Sequence, residues 1–204
     1  MEYVAAHGRK TRTRVYFAKL LPLYFLHKLH LINQESARKP WVTDLGWLVQ
    51  GWNAEQGDAA FRWVAEQYIR PTARDDIIAK LHEHRAQGHA IFLVSAMLEP
   101  TLRVIGDGLG ATGVIGTSIE IKDGRLTGIV SPRVCMGIEK KLLTHEHLQA
   151  HGIAIDFAAS YAYADSISDM DLFTMVGHPI AVYPDAQLAE HARAHNWKIL
   201  PNDR

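Results

Sequence analysis

Ala90-Ile-Phe-Leu-Val94 constrains the fold more than any other stretch of this chain. Consecutive apolar residues leave the segment no polar face, so a strand formed here has to be covered on both sides, as the strands of a parallel sheet are by their crossover helices. It ends at Ser95. Upstream, the spacing predicts a helix capped by Thr72, carrying Ile77, Ile78 and Leu81 inward and stopping near Gly88. Downstream the alternation continues. A helix from about Pro100 to Leu109 leads to a short strand at Val114 to Thr117, and Ile119 to Ile129 reads as a hairpin turning at Asp123-Gly124. A helix from Gly137 to His151, a strand ending at Asp165, a helix around Leu172, a strand from Ile180 to Tyr183, a helix from Asp185 to His195 and a last strand from Trp197 to Leu200 follow. Strands alternating with helices predict the α/β class and a doubly wound parallel sheet.

The first 70 residues differ. Val15 to Ile32 is rich in Leu, Tyr and Phe but broken by Lys19, His27, Lys28 and His30, the pattern of a helix with one strongly apolar side. Packing inside a small helical domain is the expectation, with docking on a membrane surface as the alternative. Trp41 to Gln50 and Ala54 to Ile69 repeat the helical period, and Gly51 and Gly57 read as breaks. The chain is therefore expected to divide into a helical domain over residues 1–70 and an α/β domain over residues 71–204.

Charge narrows the choice of partners. Twenty-two basic and 22 acidic residues give a net charge of +0, so no global field draws the chain to nucleic acid, and an anionic ligand has to be recognised locally. A single cysteine, Cys135, excludes an internal disulfide. Met1 to Lys10 carries no secretory pattern and no apolar run is long enough to span a bilayer. The expectation is a cytoplasmic protein without stable membrane insertion.

Three strand ends or helix starts carry candidate chemistry. Ala158 to Ala164 is a run of small and aromatic residues that stops at Asp165, and Asp169 follows where the pattern has turned helical. Carboxylates delivered to the carboxyl end of a parallel strand are placed to hold a hard cation such as Mg²⁺, although Asp165 could also serve as a helix cap. Ser95 offers a hydroxyl, and Ala96 begins the turn whose backbone N–H groups suit a phosphate oxygen. Lys140 lies in the first turn of its helix, where an ammonium opposes the helix dipole and an anionic ligand would supply its partner. The pairs His82 with His84 and His145 with His147 are spaced by two, which does not align side chains on a helix, so they read as solvated positions. Gly106, Gly108 and Gly110 lack the strand that a dinucleotide loop requires.

Taken in order, Leu93-Val-Ser95-Ala, Asp123-Gly-Arg-Leu-Thr-Gly128, Cys135-Met-Gly-Ile-Glu-Lys140, Tyr163-Ala-Asp165-Ser-Ile-Ser-Asp169 and Gly177-His-Pro-Ile-Ala-Val-Tyr-Pro-Asp185 resemble the haloacid dehalogenase superfamily in its phosphoserine-phosphatase-like branch. The resemblance runs over roughly residues 70–200. It implies a Rossmann-like core with a helical cap over residues 1–70, and a Mg²⁺-dependent phosphomonoesterase acting on a small phosphorylated metabolite through an aspartyl-phosphate. By the same resemblance Ser95, Ala96 and Lys140 bind the phosphoryl group, with Lys141 as the fallback if the register slips, Asp165 ligates Mg²⁺ and Asp169 supports the metal site. One part of the pattern is missing. The family's Asp-x-Asp-x-Thr, which supplies nucleophile and general acid/base, has no counterpart before Tyr16, and Asp169-Met-Asp171 is followed by Leu172-Phe173 where Thr is required. The resemblance thus implies that the nucleophile and the first core strand, which belongs between the strands ending at Ser95 and Asp165, lie upstream of these residues. The alternative is a catalytically silent module that retains phosphate and metal binding.

Overall fold

Helices occupy the first third of the chain. The computed structural model describes residues 2–201, and of Gln34 and Glu35 the backbone alone. Helix α1 (Glu2–Val4) passes through a π-helical turn at Ala5–Arg9 into α2 (Lys10–Lys28), followed by α3 (Gln34–Thr43), α4 (Leu45–Val49) and α5 (Ala54–Val64). Two of these starts are fixed by asparagine. Asn33 accepts a hydrogen bond from the N–H of Ser36, and Asn53 forms a reciprocal capping box with Gln56. Each such cap contributes about 1 kcal/mol. The expected single helix from Trp41 to Gln50 is instead the end of α3 plus the separate α4, with Asp44 between them. Gly51 breaks the chain as expected, at φ +82°. Gly57 does not. It lies inside α5, where a Cβ would stand 2.9 Å from Leu126 Cδ1, so its role is close packing.

Tyr16 and Leu20 of α2 enter a core shared with Leu48, Val49, Phe61 and Leu126, and the Tyr16 hydroxyl donates to the Trp41 carbonyl at 2.6 Å. Burial pushes the Tyr16 phenol well above its ordinary range, and Asp44 adds to the shift. The opposite side of α2 is apolar too, which departs from the one-sided helix expected.

Helix α6 (Asp75–Ala86) starts later than Thr72. Thr72 ends a 3₁₀ turn, Arg70–Thr72, and its hydroxyl donates back to the Ile69 carbonyl at 2.7 Å, so it closes the preceding turn rather than opening the helix. Strand β1 (Phe92–Leu98) pairs in parallel with β2 (Gly113–Thr117) across helix α7 (Glu99–Leu109). β1 runs beyond Ser95 to Leu98, and up to Met97 it is half-buried rather than fully covered. Its register shifts between Val94, opposite Ile115, and Leu98, opposite Thr117, so the extra residues form a bulge. The hairpin of β3 (Ile119–Lys122) and β4 (Arg125–Val130) turns at Asp123-Gly124 with φ of 52° and 70°, as the sequence predicts. The segment before α5 adds to this hairpin: Leu126 N–H donates to the Trp52 carbonyl at 2.9 Å and Gly51 N–H to the Leu126 carbonyl at 2.7 Å.

The remaining elements are α8 (Ile138–Ala150), β5 (Tyr161–Ala164), α9 (Met170–Phe173), β6 (His178–Val182), α10 (Ala186–Ala194) and β7 (Lys198–Leu200). The three strands form a parallel sheet in the order β5-β6-β7. Small residues make its helix contacts possible: Ala162 and Ala181 are buried under Phe173, Leu188 and Ala192. Phe173 and Leu188 are 1% and 0% exposed. Burial of such side chains is worth about 2–3 kcal/mol each.

Internal contacts divide the chain into two compact units, Met1–Val134 and Cys135–Arg204. Parallel strands flanked by helices, together with the helical region at the start, make the α/β fold with a helical cap. Among the described residues β1 pairs only with β2 and β5 only with β6, and residues 2–9 are helical, so no described strand bridges β1 and β5. No helix among the described residues is long and apolar enough to cross a membrane.

Candidate active site

The turn after β5 is built by hydrogen bonds that converge on it from two helices. β5 stops at Ala164, Asp165 follows exposed, and Ser166 opens a 3₁₀ turn, Ile167–Asp169, by accepting from the Ser168 N–H. Asp169 closes that turn, donating its N–H to the Ser166 carbonyl at 3.0 Å. Its carboxylate is buried, with 8% of the side chain exposed, and Oδ1 accepts from Lys140 Nζ, itself 14% exposed. Loss of either member of a pair this far from water leaves an uncompensated charge.

Lys140 reaches Asp169 because of how α8 begins. Gly137 caps the helix at φ 51° and ψ −131°, a conformation open only to glycine, and sets Lys140 in the first turn. The unfavourable dipole position noted from sequence is thus met by a partner within the chain. It is Asp169. Across the same turn Asp185 acts as a clamp: its Oδ1 accepts from the Leu188 N–H at 2.8 Å, its Oδ2 from the Ile167 N–H at 2.9 Å, and its own N–H donates to the Asp165 carbonyl at 2.8 Å. Burial pushes the Asp185 carboxyl up, but hydrogen bonds from Leu188, Ile167, Ser166 and Gln187 outweigh it, leaving the group below the ordinary carboxylate range. Sequence reasoning found Asp185 as a helix start and missed its second role. The Tyr-Pro-Asp before a helical period signals a cap, and no local pattern reports a bond to Ile167.

Ser95 and Ala96 belong to the first unit. Ser95 lies in the β1 bulge rather than at the strand end, and its Oγ accepts from the Met97 N–H at 3.2 Å. The Ala96 carbonyl accepts from the Thr117 hydroxyl at 2.8 Å, which ties the bulge to β2. The structure therefore joins Lys140 to Asp169 directly and holds Asp165 in the same turn, while Ser95 and Ala96 share a bulge of their own.

The donor set can be tested against Mg²⁺. Among the described residues no group of three or more His, Cys, Asp or Glu is arranged to hold a metal. A cation that binds through one or two carboxylates and completes its shell with water and phosphate oxygens suits a turn offering the exposed Asp165 beside Asp169. Asp169 has Oδ1 engaged by Lys140. The histidines contribute elsewhere: His84 and His89 approach through their Nδ1 atoms at 2.8 Å, and burial, with His89 beside it, lowers the pKa of His84.

This chain belongs to the haloacid dehalogenase-like hydrolases, the family whose model matches residues 1–174. It is 32% identical over 154 residues to an inhibition of morphological differentiation protein of Streptomyces azureus, covering 75% of this chain and 54% of that one. It is 31% identical over 138 residues to a histidinol-phosphatase of Neisseria meningitidis serogroup C, covering 66% of this chain and 61% of the other. The chain spans about half the length of several curated relatives it matches. Among solved structures, a Bordetella pertussis Tohama I protein of unknown function aligns with a TM-score of 0.74 at 27% identity, over 87% of this chain and 78% of its own. A substrate-bound phosphoserine phosphatase aligns with a TM-score of 0.56 at 19% identity, over 91% of this chain and 80% of its own, a likeness of fold.

Proposed function

We propose that these residues form the cap and most of the core of a Mg²⁺-dependent phosphomonoester hydrolase acting on a small phosphorylated metabolite. The observation that carries the reading is the buried Lys140–Asp169 pair at the end of β5, four residues from an exposed Asp165. An ammonium held by one carboxylate keeps two further N–H donors for phosphoryl oxygens, and its position is fixed before substrate arrives. In this reading Asp169 orients Lys140, Lys140 and the Ser95 hydroxyl with the Ala96 N–H hold the phosphoryl oxygens, and Asp165 ligates the cation. Bound Mg²⁺ would neutralise phosphoryl charge. Residues 1–70 serve as the cap that selects substrate over a core of residues 71–204, and a reducing cytoplasm suits the buried thiol of Cys135.

The attacking carboxylate, which would carry the aspartyl-phosphate, is assigned to a segment not contained in residues 1–204. The absence of an Asp-x-Asp-x-Thr before Tyr16 is what supports that assignment. The test is to assay residues 1–204 and a version extended upstream side by side with an aryl phosphate and Mg²⁺. Turnover by the extended form alone is the expected result. Turnover by the short form that is lost in Asp165→Asn would place a nucleophile within these residues, and inactivity of both on a broad phosphate panel would favour a binding module.

A further inference from the structure

Two histidine pairs stand four residues apart on helices, the spacing that does bring side chains together. His147 and His151 close α8, and His191 and His195 close α10. The α10 pair is shaped by its own turn. Asn196 takes a positive φ of 56°, so that its N–H donates to the Arg193 carbonyl at 3.3 Å and the Trp197 N–H to the Ala192 carbonyl at 2.8 Å. This is a Schellman closure, and it folds Trp197 back beside the helix it follows. Leu188 and Ala192 take the buried face of α10. His191 and His195, one position to the side, stack with ring centroids 4.0 Å apart and planes 20° apart, and the indole of Trp197 stands across His191 at 4.9 Å and 71°.

Hydrogen bonding sets which nitrogens are offered. His195 Nδ1 lies 2.9 Å from the His191 carbonyl, which can only accept, so Nδ1 carries a proton and the neutral ring keeps its lone pair on Nε2. A ring N–H held by a backbone carbonyl is the outer partner that fixes the tautomer of a metal-ligating histidine. Among the described residues no hydrogen bond takes up His195 Nε2 or either ring nitrogen of His191. Imidazole nitrogens bind a metal at about 2.0–2.1 Å, which sets two of them about 3 Å apart on one ion. His195 is exposed and His191 half-buried, so rotation of the stacked rings can reach that bite. The helix ends here, and its dipole favours a cation at that end. The donors also select the ion: paired imidazoles suit Zn²⁺, Ni²⁺ or Cu²⁺, whereas Mg²⁺ takes oxygen ligands. Since α10 begins at Asp185 and the pair stands at its other end, these donors are separate from the β5 turn.

We infer that His191 and His195 form a bidentate site for a divalent transition-metal ion, which they hold through Nε2 while water completes its shell and Trp197 walls one side. Trp197 makes the site visible, because the other tryptophans, Trp41, Trp47, Trp52 and Trp63, all lie in the helical region. The test is titration of metal-free residues 1–204 with Ni²⁺ at about pH 7.5, where imidazole is mostly neutral, read by tryptophan emission. The expected result is a quenched fraction that is missing in Trp197→Phe, is reversed by excess Zn²⁺ and is untouched by excess Mg²⁺. His191→Gln and His195→Gln should each weaken binding about 100-fold, because the second bond of a chelate forms at high effective concentration. Both leave the buried face of α10 intact, so circular dichroism should match the parent. Binding retained in both variants, Trp197 emission that Ni²⁺ leaves unchanged, or quenching that Mg²⁺ reverses as well as Zn²⁺ does would overturn the inference. So would quenching of Trp197 that is lost in His151→Gln while His191 and His195 are intact, since the ion would then belong to α8.

Discussion

Two parallel strands of this protein lead to residues expected to share one task, and they present them differently. β1 runs past Ser95, absorbs the mismatch with β2 as a bulge and turns the Ser95 hydroxyl back onto the Met97 N–H. β5 stops at Ala164, and the turn beyond it is held by the carboxylate of Asp185 and by the Lys140–Asp169 pair. The Ser95–Met97 bond is local, made between neighbours in the chain, while Thr117 of β2 ties in the adjacent Ala96. The second arrangement is tertiary, since Lys140 and Asp169 are 29 residues apart. The difference teaches that the Lys140–Asp169 pair depends on how α8 packs, whereas the Ser95 hydroxyl is satisfied within its own bulge. Damage should therefore spread from one and stay confined in the other.

The largest effect is expected from Lys140→Met, which strands a buried carboxylate and should lower stability by about 3–5 kcal/mol in urea unfolding. Adding Asp169→Leu to it should recover much of that loss, because an apolar pair leaves no unpaired charge. A cost for Lys140→Met as small as that of Ser95→Ala would erase the contrast between the two strand ends.

Asp185→Ala comes next, at about 2 kcal/mol, since it removes a helix cap and leaves the Ile167 N–H without its acceptor. The clamp also has a pH signature. Its folded pKa lies below the ordinary 3.8, so its contribution is fully present above that value and is lost as pH falls through the lower folded value. Stability measured against pH should fall less steeply over that acid window in Asp185→Ala than in the parent. Parallel curves would show that the clamp is not what ties stability to pH.

Ser95→Ala should cost about 1 kcal/mol, the worth of one hydrogen bond to the Met97 N–H. Confinement of the change to β1, read from amide exchange, would sharpen the comparison, and spread to β5 would break it. Asp165→Asn should alter stability by no more than about 0.5 kcal/mol, because the residue is exposed. In calorimetric titration the same variant should bind Mg²⁺ more weakly than the parent. Two acids of one turn would then be separated by experiment, one holding structure and the other contributing to cation binding.

Much of this protein could be read without coordinates where the signal is short-range. Asp123-Gly124 turns the hairpin because both residues adopt positive φ there, and Asp185 opens α10 because its carboxylate reaches the Leu188 N–H. Apolar and small-residue runs bounded by turns located the parallel strands among the described residues, and Asp165 falls directly after one of them because small and aromatic residues give way to polar ones at that point. What neighbours in sequence cannot encode was decided by packing. Thr72 donates its hydroxyl back to the Ile69 carbonyl instead of accepting from the helix ahead, Ser95 fell in the register shift between β1 and β2, and Gly57 was needed for the approach of Leu126 rather than for a turn. The partner of Lys140 was the largest such decision. A cation in a first helical turn announces only that something anionic must stand nearby, and whether that is a ligand or Asp169 depends on where the β5 turn is carried by the packing of α8 and α9, a distance no local preference measures.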